Sequence, residues 1–324
     1  MPTDLRPLPW LDVITVGRIG IDLYPTESNV ELARVALFRR FLGGSPTNVA
    51  VAGARLGLRT AVVTKVGSDP FGDYAVRRLG ELGVDTRWVT RHDHFPTPLA
   101  FAELFPPDRF PLLFYRWPTA PDLMIAPGDF DLDSCATVPV LWTSGTALSR
   151  EPSRHSVLAM LTARSPSALT IHDIDYRPSA WSSLAACARW NRVAARRSSV
   201  VIGNTREIKI VTGTEDPVAA AKVLLSSGVG LVVVKQGGDG VYARDTNDEV
   251  RMAGLKVHIA NGLGAGDAFG GALCLGLLRG WPLQETIEFA NAAGALITTR
   301  LACADDMPTE YEVRELLGRL KAAS

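Results

Sequence analysis

Six short runs of continuously apolar, largely β-branched residues recur along the chain, separated by stretches with helical spacing. The runs are Val13–Val16, Ala61–Val66, Val138–Thr143, Leu169–Asp173, Val200–Gly203 and Leu231–Lys235. A strand that is apolar along its whole length is covered on both faces, and helices that alternate with such strands connect parallel neighbours. The pattern predicts an α/β fold: a doubly wound, mostly parallel sheet with helices on both faces. Between the runs, Pro46–Leu56 reads as a helix with Ser45 at its N-cap. Asp69-Pro70 opens a second helix that runs to about Leu82 and stops at Gly83.

Two segments break the alternation. Ile21–Leu42 and Thr97–Trp117 are extended, aromatic or proline-rich, and the second shows no helical spacing. Unstructured loops of such length are uncommon, so both segments read as strands of a small β lid beside the main sheet. The expected division is a core of residues 1–20, 43–96 and 118–324 and a lid of residues 21–42 and 97–117.

Composition narrows the function classes. The chain has 324 residues, with 34 Lys plus Arg balancing 34 Asp plus Glu, so no basic excess supports nucleic-acid binding. Cys135, Cys187, Cys274 and Cys303 form no C-x-x-C pair and read as reduced, buried thiols. The start, MPTDLRPLPWLDV, lacks the basic and apolar blocks of a signal peptide. The most apolar helical stretch, Ala268–Leu278, is far shorter than the roughly 20 residues a bilayer span needs. The expectation is a cytoplasmic protein with no membrane or nucleic-acid partner. His92 and His94 have a metal-like spacing but no third ligand nearby, and read as a solvated loop. The aromatic run 105–117 lacks the interleaved basic residues of a base-stacking surface and reads as lid packing.

The strongest chemical signal is Asn261-Gly-Leu-Gly-Ala-Gly-Asp267, leading into an apolar helix. Gly262, Gly264 and Gly266 allow close backbone approach, and a helix N-terminus follows, where free N–H groups and the dipole favour an anion. A carboxylate there is either a plain cap or a general base beside an anion cradle, as phosphoryl transfer to a hydroxyl needs. The chain contains no Gly-Lys pair, which excludes a P-loop, and the spacing is not G-x-G-x-x-G. A second glycine element, Gly43-Gly44-Ser-Pro-Thr-Asn48, also feeds a helix start. It is either a tight turn or a place where a polyhydroxylated ligand sits on the backbone and hydrogen-bonds Asn48.

Together, Gly43-Gly44-x-x-x-Asn48 and Gly264-Ala265-Gly266-Asp267 resemble the two signatures of the ribokinase-like (phosphofructokinase-B) carbohydrate kinases, and the likeness extends over nearly the whole chain. The resemblance implies a ribokinase-like core with a β lid and ATP and Mg²⁺ as cofactors, with a monovalent cation an open addition. It implies Asp267 as the base, with the backbone of Gly264, Ala265 and Gly266 as the anion hole. Asn204 and Glu207 match an Asn-x-x-Glu element that helps place magnesium and phosphate, Glu207 acting on the metal through water. Lys235, Gly237 and Gly240 match a turn that contacts ATP phosphates, and Asn291 lies in a helix bordering the adenine.

Within the family the chain resembles kinases of sugar acids. Arg116 ends a Phe-Tyr-Arg, and Arg177 ends Asp173-Ile-Asp175-Tyr-Arg177, where Asp175 replaces the Asn usual in ketodeoxygluconate kinases. Two guanidiniums suit the carboxylate that a neutral sugar lacks. Asp22 suits sugar hydroxyls. The resemblance implies 5-dehydro-2-deoxy-D-gluconate as substrate and its 6-phosphate as product. The alternatives are 2-keto-3-deoxygluconate or fructose on the same fold, or a catalytically silent sugar- or nucleotide-binding regulator. An oxidoreductase is disfavoured by the missing fingerprint. An exposed lid edge is open to pairing with a second copy, which leaves a homo-oligomer through the lid as an expectation.

Overall fold

The structure is a computed structural model that describes residues 10–323; the first nine residues of the N-terminal stretch MPTDLRPLPWLDV lie outside it. Its strands are β1 (Val13–Val16), β2 (Gly20–Pro25), β3 (Phe38–Gly43), β4 (Thr60–Gly67), β5 (Val84–Asp85), β6 (Val89–His92), β7 (Leu99–Ala102), β8 (Leu112–Tyr115), β9 (Val140–Ser144), β10 (Leu169–Asp173), β11 (Val200–Asn204), β12 (Leu231–Lys235), β13 (Val241–Arg244) and β14 (Glu249–Met252). Ten of them form one sheet in the order β14-β13-β12-β11-β10-β9-β1-β4-β5, with β6 also paired to β4. All its pairings are parallel except β12–β13 and β13–β14.

The apolar runs became strands because both sheet faces are covered. Trp142, Ile202 and Val233 pack towards the helices Ala265–Leu278 and Leu283–Thr298. Leu141, Val201 and Val232 face the opposite helical layer. The four cysteines are free and buried, and no described helix is long and apolar enough to cross a membrane.

β2, β3, β7 and β8, from the segments expected to make the lid, form a separate four-stranded sheet in the order β3-β2-β7-β8. Its strands pair antiparallel except β2–β7, which is parallel.

Chain order reverses on either side of β1, which lies between β4 and β9. At such a switch point the loops leaving the carboxyl ends of neighbouring strands diverge and open a crevice, where ligands of α/β sheets bind. Arg18 follows β1, Thr146 follows β9, and Asp173, Asn204 and Lys235 are the last residues of β10, β11 and β12.

Two helices meet over this edge. The first spans Ser45–Arg55, so Ser45 is its first residue and not its cap; the cap is Gly44, at φ +106°. The second spans Ala265–Leu278. They cross closely enough that a Cβ on Gly271 would stand 2.5 Å from the Ala52 Cβ and 2.8 Å from the Gly53 nitrogen.

That crossing is tested by one added carbon. Gly271→Ala costs about 1–3 kcal/mol, because backbone must move to admit it. Gly318→Ala, in the last helix with nothing within 4 Å of the new carbon, gains about 0.5–1 kcal/mol from helix propensity. Thermal denaturation of the two variants reads the contrast; Tm shifts of the same sign contradict it.

Candidate active site

Asp267 is the third residue of the helix Ala265–Leu278. Its carboxylate is clasped by the neighbouring helix: the Ser45 hydroxyl donates to Oδ1 at 2.7 Å and the Asn48 amide to Oδ2 at 2.8 Å. Burial, the largest influence, pushes Asp267 above the usual carboxylate range, and these two donors pull against it. Before it, Gly264 caps the helix in the left-handed region at φ +83°. The N–H groups of Gly264, Ala265 and Gly266 donate to no partner among the described residues, as the first turn of any helix leaves them. Donors and base therefore converge on one spot. The Lys235 ammonium joins them, lying 3.0 Å from where a Cβ on Gly266 would be.

The Gly43-Gly44-x-x-x-Asn48 element serves the protein before any ligand. A Cβ on Gly43 would fall 2.1 Å from Asp22 Oδ1, and one on Gly44 would fall 2.4 Å from the Arg18 carbonyl oxygen. The glycines make room for a carboxylate and a backbone, a need that stands apart from any contact with a sugar. Asn48 is likewise committed through its amide to Asp267, although its Oδ1, shut off from solvent, lacks any partner and remains an acceptor for a hydroxyl. Asp22 accepts from the Tyr24 hydroxyl at 2.8 Å, and burial raises it to about 6.

Arg116 and Arg177 do reach one cavity, of about 150 Å³, together with Arg18, Arg150, Phe114, Trp117 and Thr119. Arg18 was not singled out from sequence. It lies in an apolar run with no motif around it, yet its guanidinium forks onto Asp175 with contacts of 2.8 and 3.1 Å. Arg177 reaches the same carboxylate at 3.1 Å, and the Thr146 hydroxyl donates to it at 2.8 Å. Burial alone would raise Asp175, but the two guanidiniums outweigh it and hold the group below the usual range. This explains Asp where Asn is usual: an amide would leave Arg18 buried without a counter-charge. Arg116 pairs with the fully buried Asp122, which also accepts from the Ile19 amide at 3.1 Å.

A third cluster closes the edge. Asn204 and Glu207 form a reciprocal capping box at the helix Thr205–Thr212. Glu207 also accepts from the Tyr176 amide at 3.0 Å. Burial raises Glu207, and the neighbouring Asp173 adds to the shift. Lys235 stands 3.7 Å from Asp173, and although burial would lower it, Asp173, Glu207 and Asp267 raise it on balance. The donors here are oxygens only, the set magnesium takes. No group of three metal-binding side chains occurs among the described residues. The Asp173 and Glu207 carboxylates, close enough for each to influence the other, fit such an ion.

Further along, Gly237 is exposed in the turn after β12. Gly240 is buried, with a Cβ position 2.0 Å from the Met252 oxygen, so close packing of its own hairpin by itself calls for a glycine there. Asn291, in the helix Leu283–Thr298, donates to the Ala253 carbonyl at 3.0 Å.

Residues 11–310 match the pfkB family of carbohydrate kinases. The 5-dehydro-2-deoxygluconokinase of Shouchella clausii is 33% identical over 311 residues, covering 94% of this chain and 95% of that one. Its namesake from Geobacillus thermodenitrificans is 33% identical over 320 residues, covering 97% and 95%. An uncharacterized sugar kinase of Pyrococcus horikoshii, solved in complex with ATP, superposes with a TM-score of 0.78 at 26% identity, covering 94% and 99%. With a family match over almost its whole length and a buried carboxylate at the head of an anion-cradling helix, the chain belongs to the pfkB family of carbohydrate kinases.

Proposed function

We propose that the protein transfers the γ-phosphate of ATP to the 6-hydroxyl of 5-dehydro-2-deoxy-D-gluconate. The observation that carries the substrate class is the cavity with four guanidiniums at the sheet edge. A neutral sugar has no use for that charge. The names of the relatives support the finer choice, and the ATP complex of a similar kinase supports the donor.

In this substrate the phosphoryl acceptor and the carboxylate occupy opposite ends of a six-carbon chain. In the protein, Asp267 is not among the residues that line the arginine cavity. Asp267 takes the proton of the 6-hydroxyl as its oxygen bonds the γ-phosphorus and the bond to the bridging oxygen of ADP breaks. The N–H groups of Gly264, Ala265 and Gly266 hold the charge that gathers on the transferring group, and Lys235 adds a positive charge beside them. The Asn48 Oδ1 and Asp22 accept from sugar hydroxyls. Asp173 and Glu207 would hold magnesium through water, which neutralises phosphate charge when bound. The turn at Gly237 and the helix of Asn291 border the nucleotide. The four-stranded sheet acts as a lid that shuts water out of the reaction.

Asp267→Asn keeps the shape and removes the base, so turnover falls at least about 100-fold while nucleotide and sugar-acid binding hold. A steady-state assay of ADP release, with binding measured separately, checks this; near-normal turnover overturns the assignment.

A second expectation concerns pH. Asp267 must be ionised to act, and burial raises its pKa, so kcat/KM climbs with pH along a limb above the ordinary carboxylate range. Ser45→Ala deletes a donor to the charged form, which disfavours ionisation and moves that limb to higher pH. A pH profile of kcat/KM for both proteins decides it; superimposable acid limbs would sink the role of Asp267 as the titrating base.

A further inference from the structure

Of the four arginines around the cavity, three already serve buried carboxylates. Arg18 and Arg177 share Asp175, and Arg116 is paired with Asp122. Arg150 has no carboxylate within ion-pair distance among the described residues; its one hydrogen bond is to the Pro118 carbonyl, at 3.5 Å. The carboxylate next to it in sequence is occupied, since Glu151 accepts from Arg154 at 2.7 Å and from the His155 amide at 3.1 Å.

We infer that Arg150 is the primary receptor for the substrate carboxylate and sets the preference for acids over neutral sugars. The inference rests on the sugar-acid reading above and departs from the expectation that Arg116 and Arg177 form the clamp. A carboxylate arriving at Arg116 competes with Asp122, and drawing Arg116 away leaves that buried acid without its ion pair, which is costly; Arg177 already spends part of its charge on Asp175, which it shares with Arg18. Arg150 is exposed before binding and gives up only water and a long hydrogen bond. Its charge is screened while the cavity is open and counts for more once substrate displaces that water. The site holds two further unmet groups: the Thr119 hydroxyl and Arg177 Nε, both shut off from solvent, have no partner within the protein. They suit the second carboxylate oxygen or the adjoining hydroxyls. Arg116 and Arg177 then act mainly as the ion-pair partners of Asp122 and Asp175, holding the cavity wall in place.

The test is kinetic, on Arg150→Met and Arg150→Lys, with 5-dehydro-2-deoxygluconate and fructose as paired substrates. Arg150→Met lowers kcat/KM for the acid about 10- to 100-fold, through KM with kcat nearly unchanged, as expected for a charge-assisted contact made equally in ground and transition states. Fructose is affected less than about twofold, and Tm stays at the wild-type value because no ion pair is lost. Arg150→Lys restores part of the loss, since an ammonium keeps the charge without the fork. If the wild type prefers the acid and Arg150→Met spares it, or costs both substrates equally, the inference about Arg150 is overturned while the sugar-acid reading stands. If the wild type prefers fructose, the sugar-acid reading fails first and takes this one with it.

Discussion

The site depends on how closely two helices cross. Ser45 and Asn48 lie 222 and 219 residues from Asp267 in sequence, and the close crossing of their helices, at Ala52 and Gly53 against Gly271 and at Val49 against Gly270, brings them within hydrogen-bond distance of it. The second helix is pinned from the sheet side as well, where a Cβ on Gly270 would lie 2.6 Å from the Trp142 ring. A base held by two donors on rigid elements keeps its orientation without substrate, and catalysis by positioning needs that. One methyl group in the crossing would separate the carboxylate from both donors at once.

Charge pairing then divides the crevice in two. Burial favours the neutral form of any carboxyl, so one stays below its ordinary range only where nearby cations or hydrogen-bond donors outweigh that cost. Asp175, gripped by Arg18 and Arg177, does so. Asp22, Asp173, Glu207 and Asp267 are all raised. At the arginine end four guanidiniums face two carboxylates, Asp122 and Asp175, with Arg150 outside both pairings, so it keeps a positive excess and welcomes a further anion. The other end has carboxyls in excess over Lys235, and it gains from cations that arrive with a nucleotide. A substrate with an acid at one end and a hydroxyl at the other meets opposite fields along its length, which orients it before any hydrogen bond forms.

The scaffold was largely legible because its signals are local. The runs Leu169–Asp173 and Leu231–Lys235 are strands end for end, and Asp69 caps its helix by accepting from the Gly72 amide. The glycine-rich approach to Asp267 was legible for the same reason, since cradle, cap and carboxylate are adjacent in sequence. What escaped were partnerships across the fold. Ser45 looked like a cap because Ser before Pro usually is one, but its hydroxyl goes to Asp267. Gly43 and Gly44 also answer to neighbours that sequence does not reveal, Asp22 and the Arg18 backbone, which lie on another strand and loop. Arg18 had one available signal: a lone charge in an apolar run, in a chain that also carries an unexpected Asp at 175. Two such departures together point to a compensating pair.

The second sheet and the anion cradle are not mechanically independent. Tyr24, on β2, donates to Asp22 and lies 2.9 Å from the Cys303 sulfur. Cys303 in turn abuts Gly264, where a Cβ would come within 3.0 Å of Sγ. Phe110, in the turn between β7 and β8, fills the space beside Gly262, 2.7 Å from a Cβ there. The glycines that shape the cradle are therefore backed by side chains that the small sheet carries or touches. Close-packed contacts transmit displacement because they have no slack to absorb it. A shift of the small sheet relative to the core would move Phe110 and Tyr24 together, and with them the loop that aims the Gly264, Ala265 and Gly266 amides. If the small sheet closes as the proposed lid, closing over a sugar and aligning the phosphoryl acceptor site are one motion, and a kinase with water as its competing acceptor needs the two to coincide.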